Sequence, residues 1–457
     1  MFPLFGKTRT RRRAVFTLGA TAITAVVLST AGCSGSSSST ADGEFGFPQV
    51  AQNTSAKITV WVDSDRQAVV DAFEAAHPEI AVDAVSYDGS ANGSNSFRTK
   101  MQLFDRAGSG WPDVVFSSQN NDASWASQAS NGKQAFAAQL DKGLVPSDTL
   151  SNFTEGSLNP CTVDGKVYCL RNDLAQSVLW YNQSLMTQFG YTMPTTWEEY
   201  EALGKKVAAE HPGYIIGTAG DAWTPEVYFW ASQCQANDVT GPREVTVNTS
   251  SDECTRAAKM LDDLRANGTV PNVSVFTPEF LQQYTGKVLM LAGPAWYAGA
   301  IFNNPNSLNV PAGELGVAAP LPWQGSDAVT GNVGGGTWFI SSHSANLAAA
   351  ATFAEFATTA DDYQVEKAPG YPAYAPAATK WVAKQEASGY FGTSLQPLVE
   401  AGSQIWTGWG SGIFSQEAIW AKTITPAIAG GQSIADLLPT WQDAIKNQAQ
   451  VDGYTVK

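Results

Sequence analysis

The chain has 457 residues, of which 44% are hydrophobic and 15% are charged, and its formal net charge is −15. This length exceeds what a single hydrophobic core usually organises, so we expect two domains or lobes. An acidic chain repels nucleic acid and anionic lipid, which argues against both as ligands.

The first 32 residues have the pattern of an export signal. A basic segment, KTRTRRR, precedes the uncharged run AVFTLGATAITAVVLSTAG. Because this run is rich in Ala and Thr and ends in small residues, it favours a cleaved signal over a membrane span. An uncleaved N-terminal anchor remains the alternative. Removing the five basic residues of this segment leaves 22 basic against 42 acidic residues, a net charge of −20.

The signal ends in LSTAGC, residues 28–33, which resembles the lipoprotein box of bacteria. The resemblance implies cleavage before Cys33, lipidation of its thiol, and a protein anchored to the outer face of the cell membrane. The basic segment also resembles a twin-arginine signal, so the Sec and twin-arginine routes both remain open. Residues 33–55 are rich in Gly and Ser and are expected to form a flexible tether.

The next elements predict a strand, a helix and a second strand. KITVWVD alternates as a strand does, and SDRQAVVDAFEAAHPEI follows with apolar residues at helical spacing. Ser64 and Gln67 have the spacing of a capping box, and Pro78 is expected to stop the helix. AVDAVSY is the second strand. This β-α-β opening predicts an α/β fold with a doubly wound parallel sheet.

Similar patterns continue along the chain. Three further strands are predicted from PDVVFSS, SVLWYN and KVLMLAGP. Helices are predicted from TTWEEYEALGKKVAAEH, DECTRAAKMLDDLRANG and LAAAATFAEFATT, the last of them buried. The segment SIADLLPTWQDAIKNQ is amphipathic, and Pro439 is expected to interrupt it.

Four cysteines follow the tether: Cys161, Cys169, Cys234 and Cys254. An even number in an exported chain favours two disulfides, with three connectivities open. CTVDGKVYC reads as a hairpin, and a loop of residues 164–166 would bring Cys161 opposite Cys169. Cys234 would then pair with Cys254. Neither pair has the spacing of a metal site, and we expect no metal.

The chain offers little material for catalysis. Its three histidines form no HExxH motif or similar cluster, and neither GxSxG nor a phosphate-binding loop is present. The glycines at 334–336 are expected to allow a tight strand entry or a close backbone approach. A pair of carboxylates suited to glycoside hydrolysis remains open, since 42 acidic residues allow many pairs. We therefore expect that the protein is not an enzyme and that it uses no cofactor.

Aromatic residues are abundant, with 15 Trp and 14 Tyr. A sugar presents an apolar C–H face and a rim of hydroxyls, which flat aromatic rings and paired hydrogen-bonding side chains can match. The alternative for each ring is a place in the core. Several tryptophans stand in segments that resemble loops: Trp111, Trp125, Trp223, Trp296, Trp323, Trp406 and Trp409.

Several of these motifs, in order, resemble the sugar-binding proteins of ABC importers, the maltose-binding-like group of bacterial solute-binding proteins. They include WPDVVF, VDGKVYCLRNDLAQSVLWYNQSLM, MPTTWEEYEALGKKV, GKVLMLAGPAW and LGVAAPLP. The resemblance extends from about residue 57 to the C-terminal DGYTV. It implies a monomer of two α/β lobes, with ligand held in the cleft between them and passed to the permease subunits of an ABC transporter.

The resemblance also implies the limits of the lobes. The N-terminal lobe is expected to comprise residues 56–172 and 331–382, and the C-terminal lobe residues 173–330 and 383–457. The hinge should pass near residues 170–174, 331–336 and 380–390. Bending there would close the lobes over the ligand.

Individual ligand contacts follow from the matched motifs. WVDSDRQ implies that Asp65 and Arg66, with Asp63 close by, reach sugar hydroxyls, although Asp65 could instead only favour the helix N-terminus. PEVYFW resembles the cleft segment of the family, with Glu226 for hydroxyls and Tyr228 for stacking. In GPAW an alanine stands where the family has Trp, and Trp296 follows one place later. The remaining candidates are Asn120, Asp122, Asn172, Asp173, Trp223 and Trp409.

The C-terminal helix does not preserve the aromatic residue and arginine of the maltose binders, so maltose itself is not implied. The leading interpretation is a lipid-anchored extracellular protein that binds a mono- to oligosaccharide and performs no reaction. The alternatives are a secreted glycoside hydrolase and a binder of a non-sugar solute.

Overall fold

The computed structural model describes residues 43–241 and 243–457. The predicted signal, Cys33 and residues 34–42 of the tether lie outside the described residues. Among those that are described, no helix combines the length and apolar character needed to cross a membrane.

Strands and helices alternate along most of the chain. The strands are β1 Ile58–Val62, β2 Val82–Ser86, β3 Val114–Ser117, β4 Thr162–Val163, β5 Lys166–Val167, β6 Leu170–Arg171, β7 Asp173–Leu174, β8 Ser177–Asn182, β9 Gln235–Gly241, β10 Glu244–Asn248, β11 Met290–Pro294, β12 Leu315–Ala318, β13 Thr337–Ile340, β14 Tyr371–Pro372 and β15 Thr455–Val456. The helices are α1 Gln67–Ala76, α2 Ser96–Ala107, α3 Ala123–Ala126, α4 Ser147–Ser151, α5 Gln183–Phe189, α6 Trp197–Glu210, α7 Asp252–Ala266, α8 Pro278–Tyr284, α9 Leu347–Thr359, α10 Asp361–Gln364, α11 Ala375–Ala387, α12 Gln396–Ala401, α13 Gln416–Thr423, α14 Thr425–Ala429 and α15 Ile434–Val451. Two single-turn π-helices lie at Pro225–Phe229 and Ala298–Phe302.

The first lobe is built on a five-stranded sheet in the order β2-β1-β3-β13-β6. The predicted β-α-β opening is confirmed, because β1 pairs in parallel with both β2 and β3. The sheet is nevertheless mixed, since β13 runs antiparallel to β3 and to β6. A wholly parallel sheet was therefore too simple an expectation. β13 enters from the segment that returns from the other lobe, and it runs in the opposite direction.

Helix α1 begins differently from the expected capping box. The residue that caps the preceding 3₁₀ turn is Asp63, whose carboxylate accepts the backbone N–H of Arg66 at 3.0 Å. The expected cap by Ser64 is not formed, and Gln67 is the first residue of α1. A carboxylate one residue earlier satisfies the free N–H groups at the start of the turn, so Ser64 is not needed as the cap.

The second lobe contains two three-stranded sheets. Strand β8 lies between β11 and β12 and is antiparallel to both. The other sheet has the order β15-β10-β9. Helices α6, α7, α13 and α15 pack around these sheets, with the fully buried Trp420 and Trp441 in contact at 5.1 Å between ring centroids.

Helix α15 continues through Pro439, where an interruption was expected. Proline removes one backbone hydrogen bond in the interior of a helix. Leu437, Leu438 and Trp441 are buried on either side of it, and this packing holds the helix together.

The chain passes between the lobes at residues 172–176 and 331–336. Gly334 and Gly335 have φ angles of +70° and +81°, and a Cβ on Gly335 would lie 2.3 Å from Nη2 of Arg171. The expected close backbone approach at the three glycines is therefore present. The boundary expected at residue 382 falls inside α11, which packs against α10 and β14. Beyond α11 the chain reaches the second lobe, where Phe391 bridges to Leu315.

Both expected disulfides are confirmed, Cys161–Cys169 and Cys234–Cys254. The register of the hairpin between the first two cysteines differs from the expected one. Asp164 and Gly165, both with positive φ, form a two-residue turn, so Val163 pairs with Lys166. A three-residue loop would have paired Val163 with Val167. Asp-Gly is the sequence that favours the shorter turn.

Candidate functional site

A cavity of about 1110 Å³ opens between the two lobes. Its first-lobe side is formed by the segment after β3 and by residues 154–168, and its second-lobe side by the β9–β10 turn and residues 402–411. Arg171 and Asn332 line it where the chain passes between the lobes. Clefts between domains are common sites for small ligands, and this volume suits a ligand larger than one sugar ring.

Three tryptophans line the second-lobe side of the cavity. Trp230 and Trp409 are stacked, with ring centroids 5.3 Å apart and ring planes 10° apart. The indole N–H of Trp230 donates to the backbone carbonyl of Trp406 at 2.7 Å. Trp230 follows directly after the π-helix at residues 225–229, so this local widening of the helix positions the ring. Trp406 is half-buried.

The first-lobe side is mostly polar. It includes Asn120, Ser124 and Ser127, and the hairpin β4–β5 with Tyr168 at its base. Cys161 and Cys169 themselves are fully buried behind this surface. Hydroxyl and amide groups both donate and accept hydrogen bonds, as a ligand rich in hydroxyls requires.

Arg171 is buried at the point where the lobes join. Its guanidinium donates to the backbone carbonyls of Asp173 at 3.2 Å and Gly334 at 2.5 Å. Burial lowers the pKa of Arg171 to about 10. These contacts tie the two crossing segments together.

Few charges line the cavity, and they balance. The acidic residues are Glu155 and Asp164, and the basic ones are Arg171 and Arg243. In the part of the chain that the structure describes, no group of three His, Cys, Asp or Glu residues could hold a metal ion. The lining therefore suits an uncharged polar ligand better than an ion.

The lobes also touch each other beside the cavity. Asn121 donates to the carbonyls of Gly412 and Phe414 at 3.0 and 3.2 Å. Farther along the same seam, Arg98 forms an ion pair with Asp452 at 2.9 Å. These contacts join helix α2 and the segment after β3 to the C-terminal part of the chain.

The three candidates after β1 lie outside the cavity lining. Arg66 pairs with Asp63 at 3.2 Å, and both side chains are largely buried. The guanidinium of Arg66 also lies over the ring of Phe116, 4.4 Å from its centroid. Asp65 has 73% of its side chain exposed. Asp63 and Arg66 are thus occupied with each other, and their contact with a ligand stays a prediction.

The candidates that follow the strand ends divide between the cavity and the core. Asn120 lines the cavity. Asp122 is buried and accepts from the Ser117 hydroxyl at 2.6 Å and the Trp125 indole at 2.7 Å, and burial raises its pKa to about 6. These two hydrogen bonds join the end of β3 to the start of α3.

Asn172 and Asp173 are buried within the first lobe. The amide of Asn172 donates to Asp173 at 2.8 Å and accepts from the indole of Trp338 at 3.0 Å. These contacts fix the crossing segment after β6. Neither residue lines the cavity as it stands.

Four candidates of the second lobe do not line the cavity: Trp223, Glu226, Tyr228 and Trp296. Trp223 donates to the Tyr297 hydroxyl at 3.0 Å. Trp296 is half-buried and donates to the carbonyl of Val333 at 2.9 Å. Tyr228 is buried beside Trp197, with ring centroids 5.8 Å apart.

Glu226, the fourth, is buried beside Glu417 of α13. Burial, and then the proximity of Glu417, raises the pKa of Glu226 well above its ordinary value, and burial also raises that of Glu417. Gln119 of the first lobe donates to Glu417 at 3.1 Å. Burial favours the neutral form of both carboxyl groups, which reduces the repulsion between them at the lobe seam.

Of the twelve expected ligand residues, the structure therefore brings Asn120 and Trp409 to the cavity. Sequence reasoning assigned no ligand role to Trp230 or to the hairpin around Asp164. One available signal was the PEVYFW motif itself, in which Trp230 directly follows the expected cleft residues. The hairpin sequence was recognised, but nothing in it indicates that it faces the other lobe.

Comparison with known proteins places the chain. Residues 59–364 match the family model described as bacterial extracellular solute-binding protein. The chain belongs to this family. It is thus an extracytoplasmic protein, and its family consists of binding proteins.

The chain is also similar to individual members. A curated relative, the arabinooligosaccharide-binding protein of Halalkalibacterium halodurans, is 27% identical over 198 residues, which cover 41% of this chain and 42% of the relative. The match thus spans less than half the length of that relative.

Two solved structures share the fold. One is an ABC transporter-associated binding protein of B. animalis subsp. lactis in complex with β-1,6-galactobiose, with a TM-score of 0.71 and 22% identity. The other is the galacto-N-biose-/lacto-N-biose I-binding protein of Bifidobacterium longum, with a TM-score of 0.70 and 20% identity. Each comparison covers 89% of this chain and 100% of the other. The two-lobed solute-binding fold is thereby confirmed.

Proposed function

We propose that the chain captures an oligosaccharide in the cavity between its lobes and delivers it to the permease of an ABC transporter. The observation that carries the proposal is the lining of this cavity. Three tryptophans stand on one side, and amide and hydroxyl groups stand on the other. Aromatic rings match the C–H faces of sugars, and the polar groups match their hydroxyls.

The volume of about 1110 Å³ and the balanced charge favour a neutral ligand of more than one sugar unit. The similar proteins support this class of ligand. The curated relative is named for arabino-oligosaccharides, and the two solved structures contain β-1,6-galactobiose and lacto-N-biose. The family, and the ABC transporters named with both solved structures, support the proposed delivery to a permease.

We further propose that the mature protein begins at a lipidated Cys33 and is held to the outer face of the membrane by the tether. The lipoprotein box in the sequence supports this proposal. Mass spectrometry of the protein from its native membrane tests it. A diacylated N-terminal cysteine is expected, whereas an unmodified Cys33 in an intact N-terminal segment would overturn it.

A thermal-shift screen tests the binding function. The panel should contain arabino-oligosaccharides, β-1,6-galactobiose, lacto-N-biose and maltose, with the corresponding monosaccharides as controls. A ligand that binds only the folded state raises the melting temperature by mass action. At least one oligosaccharide is expected to do so. Steady release of shorter sugars in the same samples would instead support a glycoside hydrolase.

A further inference from the structure

Part of one side of the cavity is a short hairpin. Residues 159–168, which we term the hairpin wall, contribute Asn159, Thr162, Asp164 and Tyr168, among others, to the cavity lining. The two strands of the hairpin have two residues each. A two-stranded hairpin is marginally stable by itself in water even when it is longer.

The tip of the hairpin wall is exposed. Residues 164–166 are exposed, and a Cβ added to Gly165 would have no neighbour within 4 Å. At its base, the Leu140 N–H donates to the Val167 carbonyl at 2.8 Å, and the Tyr168 N–H donates to the Cys161 carbonyl at 2.9 Å. Val163, Val167 and Tyr168 also pack against the core of the first lobe, so the wall is anchored at its base and exposed at its tip.

The Cys161–Cys169 disulfide closes the base of the hairpin wall. The Cα atoms of the two cysteines are 5.0 Å apart, and both residues have no exposed surface. They belong to an apolar cluster of the first lobe that includes Phe97, Ala126 and Phe339. The disulfide therefore joins both ends of the wall to each other and to the core.

We propose that the Cys161–Cys169 disulfide is a positioning element of the ligand cavity, because it pre-organises the hairpin wall before ligand arrives. This inference rests on the proposed function of the cavity. A wall that moves in the free protein must be ordered on binding, and that ordering weakens affinity. The disulfide removes this cost in advance.

The second disulfide provides a matched control within the same chain. Cys234 and Cys254 are also fully buried, with Cα atoms 4.6 Å apart. They join the segment before β9 to helix α7, and neither they nor their immediate neighbours line the cavity. Loss of this bridge should lower stability without changing the hairpin wall.

The test compares Cys161→Ala/Cys169→Ala with Cys234→Ala/Cys254→Ala in the full-length chain. Hydrogen–deuterium exchange of the free proteins is measured first. Exchange within residues 159–168 should rise only in the first double variant. Affinity for the panel oligosaccharide that stabilises the wild type most should then fall about tenfold or more in the first variant, and less than about twofold in the second.

A glycine pair tests separately, with both disulfides intact, whether order in the hairpin wall determines affinity. Gly165 and Gly213 both have positive φ and open space around the site of a Cβ. Valine is strained at either position, but only Gly165 lies in the hairpin wall. Gly165→Val is expected to raise exchange at residues 159–168 and to lower affinity, and Gly213→Val to do neither.

Two results would overturn the proposal. The first is unchanged exchange in the wall of Cys161→Ala/Cys169→Ala, or of Cys161→Val/Cys169→Val if that double variant does not fold. The second is an equal loss of affinity in Cys161→Ala/Cys169→Ala and in Cys234→Ala/Cys254→Ala. If the wild type binds no sugar of the panel, the proposed function fails, and the exchange data still decide whether the disulfide fixes the wall.

Discussion

Trp230 and Trp409 lie face to face beside the cavity, with ring centroids 5.3 Å apart and ring planes 10° apart. Trp230 follows a π-helix, and Trp409 belongs to the loop at residues 405–411, so their contact joins two distant parts of the chain. Both rings are buried. The neighbouring Trp406 is half-buried and lines the same cavity, which leaves its ring the most accessible of the three.

Trp406→Ala is expected to weaken oligosaccharide binding by about tenfold or more, a loss of roughly 1.4 kcal/mol. The backbone carbonyl that accepts from Trp230 is retained in this variant. Isothermal titration with the best sugar of the panel measures the effect.

Trp111→Ala serves as the control. Trp111 is also half-buried, and it stacks on His343 with ring centroids 3.8 Å apart in the first lobe, away from the cavity lining. Its loss should lower the melting temperature and leave affinity unchanged. Equal affinities for Trp406→Ala and the wild type would remove Trp406 from the site.

Tyr228 provides a test of stability against binding. The sequence predicts that it stacks on ligand, but its ring is buried beside Trp197, with ring centroids 5.8 Å apart. We therefore expect Tyr228→Ala to lower the free energy of unfolding by about 3–5 kcal/mol, as large core truncations do. Affinity, measured at a temperature at which the variant is folded, should change less than threefold. A tenfold loss of affinity in the folded variant would restore the stacking role.

The pH dependence of stability should reflect the Glu226–Glu417 pair. Burial raises the pKa of both carboxyl groups above the ordinary value of 4.5. Above pH 4.5 the unfolded chain loses these protons first, so the folded state binds more protons and the free energy of unfolding falls as pH rises. Asp122 and Asp221, whose pKa burial raises to about 6, act in the same direction.

Glu417→Gln removes one member of the pair while keeping a side chain of the same shape. It should flatten the fall in stability between pH 4.5 and 7.5 and raise the melting temperature at pH 7.5. Glu74→Gln, at an exposed position of α1, is the control and should leave the profile unchanged. A Glu417→Gln profile parallel to that of the wild type would contradict the raised pKa of the pair.

Gly335→Ala tests the crossing of the chain between the lobes. The new Cβ would lie 2.3 Å from Arg171 Nη2 and 2.6 Å from the Asp173 carbonyl, at a φ of +81°. Gly325 has a similar φ of +79° but nothing within 4 Å, so Gly325→Ala adds strain alone. We expect unfolding free energies lowered by about 1–2 kcal/mol for Gly325→Ala and by more for Gly335→Ala. Equal losses in chemical denaturation would show that the close approach costs nothing.

The sequence predicts local elements well here because their causes are local. The β-α-β opening, both disulfides and the buried helix α9 follow from periodicity, turn residues and cysteine spacing. Errors arise where a competing local group decides, as when Asp63 replaces Ser64 as the cap.

The candidate site is harder to predict because it is assembled from separate segments. Glu226 and Tyr228 lie close in sequence to Trp230, yet only Trp230 reaches the cavity, since the helix turns the other two toward the core. Periodicity cannot show which face of a helix meets the other lobe. The hairpin wall lines the same cavity as residues 402–411, which come more than 230 positions later, and no local sequence pattern indicates this proximity.

The binding of an oligosaccharide without reaction is tested most directly by isothermal titration of the wild-type protein with the panel oligosaccharides. The products are then analysed by chromatography. We predict saturable binding of at least one neutral oligosaccharide at one site per chain. The sugar should be recovered intact, and its affinity should be reduced in Trp406→Ala. Absence of binding across the panel, or recovery of shortened sugars, would contradict this prediction.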